Sequence, residues 1–232
     1  MMNNNIYKNF FTKESIAITL ANDVANILKE SIKKNTRATL LLSGGNTPKL
    51  FLNKLSLCDI EWKRVTVGLV DERMVETSHK DSNECMIKKE LCKNNASKVN
   101  LVGMYEKESL NTIEACCSAK YKEVFSKIDV LVLGMGVDGH TASLFPFNEK
   151  LEKAFDLQNT NFCVSMRPTD APYTRVSLTL ASILRAENIF LHIEGSEKIA
   201  VYNEVLKSEE SIRYPILKVL NSNNKVKVYT HE

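Results

Sequence analysis

Two periods of apolar residues alternate along this chain. Ile16, Leu20, Val24, Ile27, Leu28 and Ile32 recur every three to four positions, which predicts a long amphipathic helix over residues 12–35. Residues 38–42 are instead a short unbroken apolar run, the pattern of a strand buried on both faces. The same alternation continues. Strands are expected at 65–70, 128–133, 176–180, 188–193 and 225–230, and helices at 82–91, 111–126 and 196–206. Residues 43–48 form a turn that opens a further helix ending near Leu55. Such an order predicts an α/β fold: a mostly parallel, Rossmann-like sheet flanked by helices. One domain should span residues 1–232, with small additional strands. The polar break at 158–161 and the segment 169–175, with Pro168 and Pro172 at its edges, read as loops, the second lying over the site.

The strand at 130–133 runs directly into G-M-G-V-D-G-H-T-A-S-L-F-P at residues 134–146. Gly134, Gly136 and Gly139 let the backbone turn sharply beyond a strand end, where open α/β sheets bind ligands. They also satisfy G-x-G-x-x-G, the dinucleotide fingerprint. That fingerprint needs a long helix straight after the turn and then a strand ending in an acid. Pro146 leaves room for a turn or two of helix, and residues 149–156 read as helix or loop. The turn instead delivers Asp138 and His140. Histidine is the natural general base near neutral pH, and a neighbouring carboxylate fixes its tautomer. No G-x-S-x-G nucleophile elbow accompanies them.

Three other strand ends carry chemistry. Ser43, Gly44, Gly45, Asn46, Thr47 and Pro48 follow a strand and open a helix, offering bare amides and positive helix-end potential to an anion. Thr47 is the expected cap, with Pro48 in the first turn. No G-K-[ST] follows, so this is not a Walker loop. Asp71, Glu72 and Arg73 end the next strand; two acids beside an arginine can position a hydroxylated substrate and bind an anionic oxygen. Arg175 precedes V-S-L-T-L, and Lys198 lies in G-S-E-K; either cation suits phosphate. His79, His192 and His231 lack comparable surroundings and read as structural residues.

Composition narrows the class without naming the chemistry. The chain has 232 residues, 44% hydrophobic and 25% charged, with a net charge of +3. So small a balance, dispersed among acids, argues against nucleic-acid or membrane partners. The N-terminus lacks a basic region followed by an apolar stretch, so no secretory signal is expected. Cys58, Cys85, Cys92, Cys116, Cys117 and Cys163 contain no C-x-x-C and read as buried reduced thiols, consistent with a cytoplasmic protein.

In order along the chain, S-G-G-N-T-P, V-D-E-R, S-N-E at 82–84, L-G-M-G-V-D-G-H-T-A-S-L-F-P, R-V-S-L-T-L, G-S-E-K and Tyr214-Pro215 resemble the 6-phosphogluconolactonase family. That family belongs to a larger sugar-phosphate group that includes glucosamine-6-phosphate deaminase. T-A-S-L-F-P and Asp71-Glu72-Arg73 look like the lactonase branch; the deaminase branch continues with an acidic N-E-P element. Asn46 departs from the serine common in the family, which affects a side-chain contact and not the backbone cradle. The resemblance implies hydrolysis of 6-phospho-D-glucono-1,5-lactone with His140 as base, Asp138 as its orienter and Arg73 or a turn amide at the oxyanion. Ser43, Gly44, Gly45, Asn46, Asp71, Arg175 and Lys198 would bind substrate or phosphate. It implies no metal or organic cofactor, a small sugar-phosphate substrate, and a monomer or small homo-oligomer. Two other readings stay open: an isomerising deaminase with Asp71 or Glu72 as base, and a sugar-phosphate-binding module without turnover.

Overall fold

The computed structural model describes residues 5–107, 110–169, 171–222 and 225–232. The start of the N-terminal segment read for a secretory signal, residues 1–4, and Asp170 of the segment 169–175 lie outside them.

In chain order the elements are β1 (Ile6–Phe10), α1 (Lys13–Asn35), β2 (Ala38–Leu42), α2 (Lys49–Ser56), β3 (Val65–Leu69), β4 (Asp71–Arg73), α3 (Asn83–Glu90), β5 (Asn100–Val102), α4 (Leu110–Val124) and β6 (Ile128–Leu133). Then follow α5 (Leu151–Phe155), β7 (Cys163–Met166), β8 (Arg175–Leu178), α6 (Leu180–Ile183), β9 (Ala186–Glu194), α7 (Ser196–Val205), α8 (Ile216–Leu220) and β10 (Val226–His231).

The first helix shows why the sequence pattern is informative. Thr12 caps α1 by accepting from the Ser15 amide at 3.0 Å, and Ser15 Oγ accepts from the Thr12 amide at 3.3 Å, a reciprocal capping box. Thr36 ends the helix in the left-handed conformation at φ 64°. Between them Ile16, Leu20, Val24, Leu28 and Ile32 are buried as one apolar stripe. β2 and β6 are buried along their whole length, as expected of central parallel strands.

Seven strands form one parallel sheet in the order β1-β10-β9-β6-β2-β3-β5. From β2 the chain moves outward through β3 to β5, then returns to place β6 on the other side of β2. The direction of winding therefore reverses between β2 and β6, the position where ligands bind in such sheets.

The expected strand at 176–180 proves to be Arg175–Leu178, in a separate antiparallel sheet of order β4-β8-β7. Thr179 caps α6 at that point and ends the strand. Asp71–Arg73, read as a strand-end triplet, is itself a short strand of this sheet. The thiols are less uniformly buried than expected. Cys117 and Cys163 are buried with their Sγ atoms 3.1 Å apart, Cys58, Cys85 and Cys92 are half-buried, and Cys116 is exposed. No disulfide forms among the described residues. No helix among them is long and apolar enough to cross a membrane.

Candidate active site

Ser43 joins the ends of β2 and β6. Its amide and its Oγ donate to the Val132 carbonyl at 3.1 and 3.0 Å, and Oγ accepts from the Gly134 amide at 3.1 Å. The hydroxyl read as a ligand group is thus committed to holding two strand ends together. Above this joint lies a cleft of about 200 Å³.

One wall is the turn that leads into α2. Gly45 takes φ +93°, a left-handed backbone that glycine adopts freely. The helix begins at Lys49, with Pro48 in the cap position and no side chain bonded to the first-turn amides. The expected Thr47 cap is therefore absent. Pro48 already has helical torsions and moves the helix start past Thr47, whose Oγ1 instead accepts from Lys198 Nζ at 3.4 Å. Lys198 comes from the first turn of α7. Burial pulls its pKa below the ordinary lysine value, opposed by the charges of Glu194 and Glu197. Uncapped amides, a helix N-terminus and a half-buried ammonium together make an anion cradle.

The facing wall is the turn after β6. It is closed by the Gly136 amide donating to the His140 carbonyl at 2.9 Å and by Thr141 Oγ1 donating to the Gly134 carbonyl at 2.8 Å. His140 Nδ1 lies 2.5 Å from Asp138 Oδ1, and the same oxygen accepts from the His140 amide at 3.1 Å. Partial desolvation works to raise the carboxyl of Asp138, whose side chain is about half exposed, but the hydrogen bonds of His140, and its charge when the ring is protonated, hold it below the ordinary value. An ionised carboxylate can only accept, so Nδ1 carries the proton and Nε2 is left with a lone pair. Phe145 packs against the ring at 5.0 Å between centroids. No helix follows Gly139 until α5, which removes the dinucleotide reading.

Because the folded-state pKa of Asp138 lies below its unfolded value, the pairing stabilises the fold above about pH 4. That contribution is lost as pH falls through the folded value. The melting-temperature gap between wild type and Asp138→Asn should therefore narrow on acidification below about pH 4, readable by thermal unfolding across a pH series.

β4 supplies the third wall. Asp71 lines the cleft and accepts from Ser143 Oγ at 2.6 Å and from Asn83 Nδ2 at 3.5 Å. Arg73 also lines it, with Nη1 donating to the Asp81 carbonyl. Glu72 is turned inward and fully buried. It accepts from the amides of Arg73, Asn83 and Glu84 at 2.6, 2.8 and 2.8 Å and from Ser82 Oγ at 3.0 Å, so it seats the N-terminus of α3. Burial raises its pKa against these four bonds. Of the two acids read as substrate-positioning groups, only Asp71 faces the cleft.

Arg175 stands directly opposite Arg73 across the β4–β8 ladder and donates to the carbonyls of Pro172 and Tyr173 at 2.9 and 3.3 Å. Burial and then the charge of Arg73 lower its pKa. It does not line the cleft, and Asp138 stands behind His140; Ser43, Gly44, Gly45, Asn46, Asp71, Arg73, His140 and Lys198 all line it. Asn83, Ala142 and His192 line it as well, without having been singled out as ligands from the sequence. His192 is the least foreseen, since L-H-I inside a strand carries no local motif.

Comparisons with known proteins place the fold and the family. Residues 12–228 match the family model described as glucosamine-6-phosphate isomerases/6-phosphogluconolactonase. A 6-phosphogluconolactonase of Pseudomonas aeruginosa is 39% identical over 198 residues, covering 85% of this chain and 83% of that protein. One of Neisseria meningitidis serogroup B is 39% identical over 208 residues, covering 88% and 89%. The crystal structure of a 6-phosphogluconolactonase from Shewanella baltica superposes with a TM-score of 0.94 at 34% identity over 98% of both chains. With the match running from the cap of its first helix into its last strand, the chain belongs to the glucosamine-6-phosphate isomerase/6-phosphogluconolactonase family.

Proposed function

We propose that this chain hydrolyses 6-phospho-D-glucono-1,5-lactone to 6-phosphogluconate, the reaction for which its relatives are named. The observation that carries the reading is the Asp138–His140 pair, 2.5 Å apart, on the wall across from an uncapped helix N-terminus with Lys198 beside it.

The cradle holds the phosphate and so fixes the lactone carbonyl within reach of the opposite wall. His140 Nε2 takes a proton from water as the water attacks that carbonyl. Asp138 keeps the tautomer and stabilises the imidazolium. Arg73, whose guanidinium carries five donors, faces the charge that builds on the carbonyl oxygen. His140 then returns the proton to the ring oxygen as the ring opens. Of the two acids an isomerising mechanism could use as base, Glu72 is fully buried and held by four donors, while Asp71 lines the cleft with Oδ2 already accepting from Ser143 Oγ.

The test is lactone loss followed with and without the purified protein. A rate well above the spontaneous one, with no ammonia released from glucosamine 6-phosphate, supports the proposal. A rate equal to the spontaneous one sinks it, and ammonia release would establish the isomerising reaction instead.

A further inference from the structure

A second histidine lies in the floor of the cleft. His192 is 2% exposed, and its Nε2 is 2.8 Å from Glu194 Oε1. Its Nδ1 is buried with no hydrogen-bond partner among the described residues. A buried, unpaired ring nitrogen costs stability unless something else satisfies it.

Register shows where it lies. Leu191 pairs with Leu133 of β6, so His192 is one step further toward the carboxyl ends, level with the start of the catalytic turn. Phe51 of α2 meets the ring edge-on at 6.2 Å, which puts the imidazole under the helix whose N-terminus forms the cradle. The ionisable neighbours are few. Glu194 holds Nε2, and Lys198 reaches over from α7. Tyr229, beside it on β10, turns its hydroxyl to Asp23. α2 brings Phe51, and the turn at 43–48 brings no ionisable side chain. Across the cleft stand Asp71, Arg73 and His140.

Resting on the lactonase reading, we propose that His192 is a positioning residue that grips the substrate's phosphate by sharing one proton with it. Glu194 accepts from Nε2–H, which leaves Nδ1 as an acceptor while the cleft is empty. A phosphate monoester, with its second pKa near about 6, arrives mostly as the dianion above pH 7. Two acceptors cannot bond without a proton between them. Binding therefore draws one proton from solvent onto the Nδ1–phosphate pair, and Glu194 and the phosphate flank the imidazolium that results. A non-phosphorylated sugar acid draws none at this position.

Calorimetry at pH 7.5 in non-phosphate buffers of differing ionisation enthalpy reads that proton directly. The probe is 6-phosphogluconate, with inorganic phosphate and D-gluconate as separate arms. Wild type should take up roughly half to one proton per 6-phosphogluconate or phosphate bound. His192→Asn places an amide near the Nδ1 position but cannot titrate; its proton uptake per ligand bound should fall by about half a proton or more. His192→Leu, lacking any donor, should bind about tenfold more weakly or worse. Equal uptake by wild type and His192→Asn overturns the inference. Should neither variant fold, ¹⁵N-histidine spectra of the wild type decide, since Nδ1 of His192 must change from acceptor to donor on adding 6-phosphogluconate, and an unchanged signal overturns it. Lactone hydrolysis with unaltered uptake defeats this inference alone. Absence of both hydrolysis and 6-phosphogluconate binding defeats the lactonase reading with it.

Discussion

His140→Ala should lower the enzyme-dependent rate of lactone hydrolysis by about 10²- to 10⁴-fold, the range expected when a positioned general base is removed. The residual rate should still exceed the spontaneous one, because the cradle and Arg73 are untouched and continue to hold and polarise the lactone. KM should change little, since His140 stands on the wall opposite the phosphate cradle. Folding should survive, because His140 is partly exposed and its side-chain partners are the exposed Asp138 and the Phe145 ring. Initial rates corrected for spontaneous loss, together with a thermal melt, test both halves. A variant that melts like wild type and keeps its full rate would remove His140 from the mechanism.

The largest loss of stability should come from Glu72→Ala. The carboxylate has no exposure and accepts four hydrogen bonds, three from amides and one from the Ser82 hydroxyl. Removing it strands those donors in a space that water does not fill freely, each costing on the order of 1 kcal/mol or more. The relief of desolvating a carboxylate offsets part of this, because burial already raises the Glu72 pKa. A net loss of about 3 kcal/mol is expected, measurable by urea unfolding. Activity should fall too, since Asp71 and Arg73 flank Glu72 and Asn83 starts the helix it seats. Glu72→Gln should recover part of the stability: its amide oxygen still accepts, but its NH₂ meets donors. A Glu72→Ala melt indistinguishable from wild type would mean that α3 is held by other contacts.

The strongly periodic parts of the fold are legible in the sequence because each side chain's environment is local to its element. The stripe of α1 and the unbroken runs of β2 and β6 lie where their patterns place them. β1 is not legible, since it forms the sheet edge and is largely exposed, leaving no alternation to read. β4, β5 and β7 have three or four residues each, too few to show a period. Within the site, the residues delivered by glycine turns were visible because the turn and the functional group share one segment. Those set by register were not. His192 reaches the floor because β9 lies beside β6, and Glu72 turns inward because β4 pairs with β8. Arg175 illustrates the converse: a cation at a strand end, yet stationed behind Arg73 with its donors given to carbonyls.

The joint made by Ser43 also fixes a length. The turn into α2 leaves β2 beside Val132 and Gly134, from which the His140 turn departs, so both walls start from neighbouring strands tied at one hydroxyl. Neighbouring strands keep a separation of about 4.8 Å. The short turns at 43–48 and 134–140 then set how far anchor and base stand apart. A phosphorylated lactone too short for that gap would seat its phosphate and leave its carbonyl away from His140. Selection by carbon count is therefore the expected result, and relative rates on phosphorylated lactones of different chain length check it.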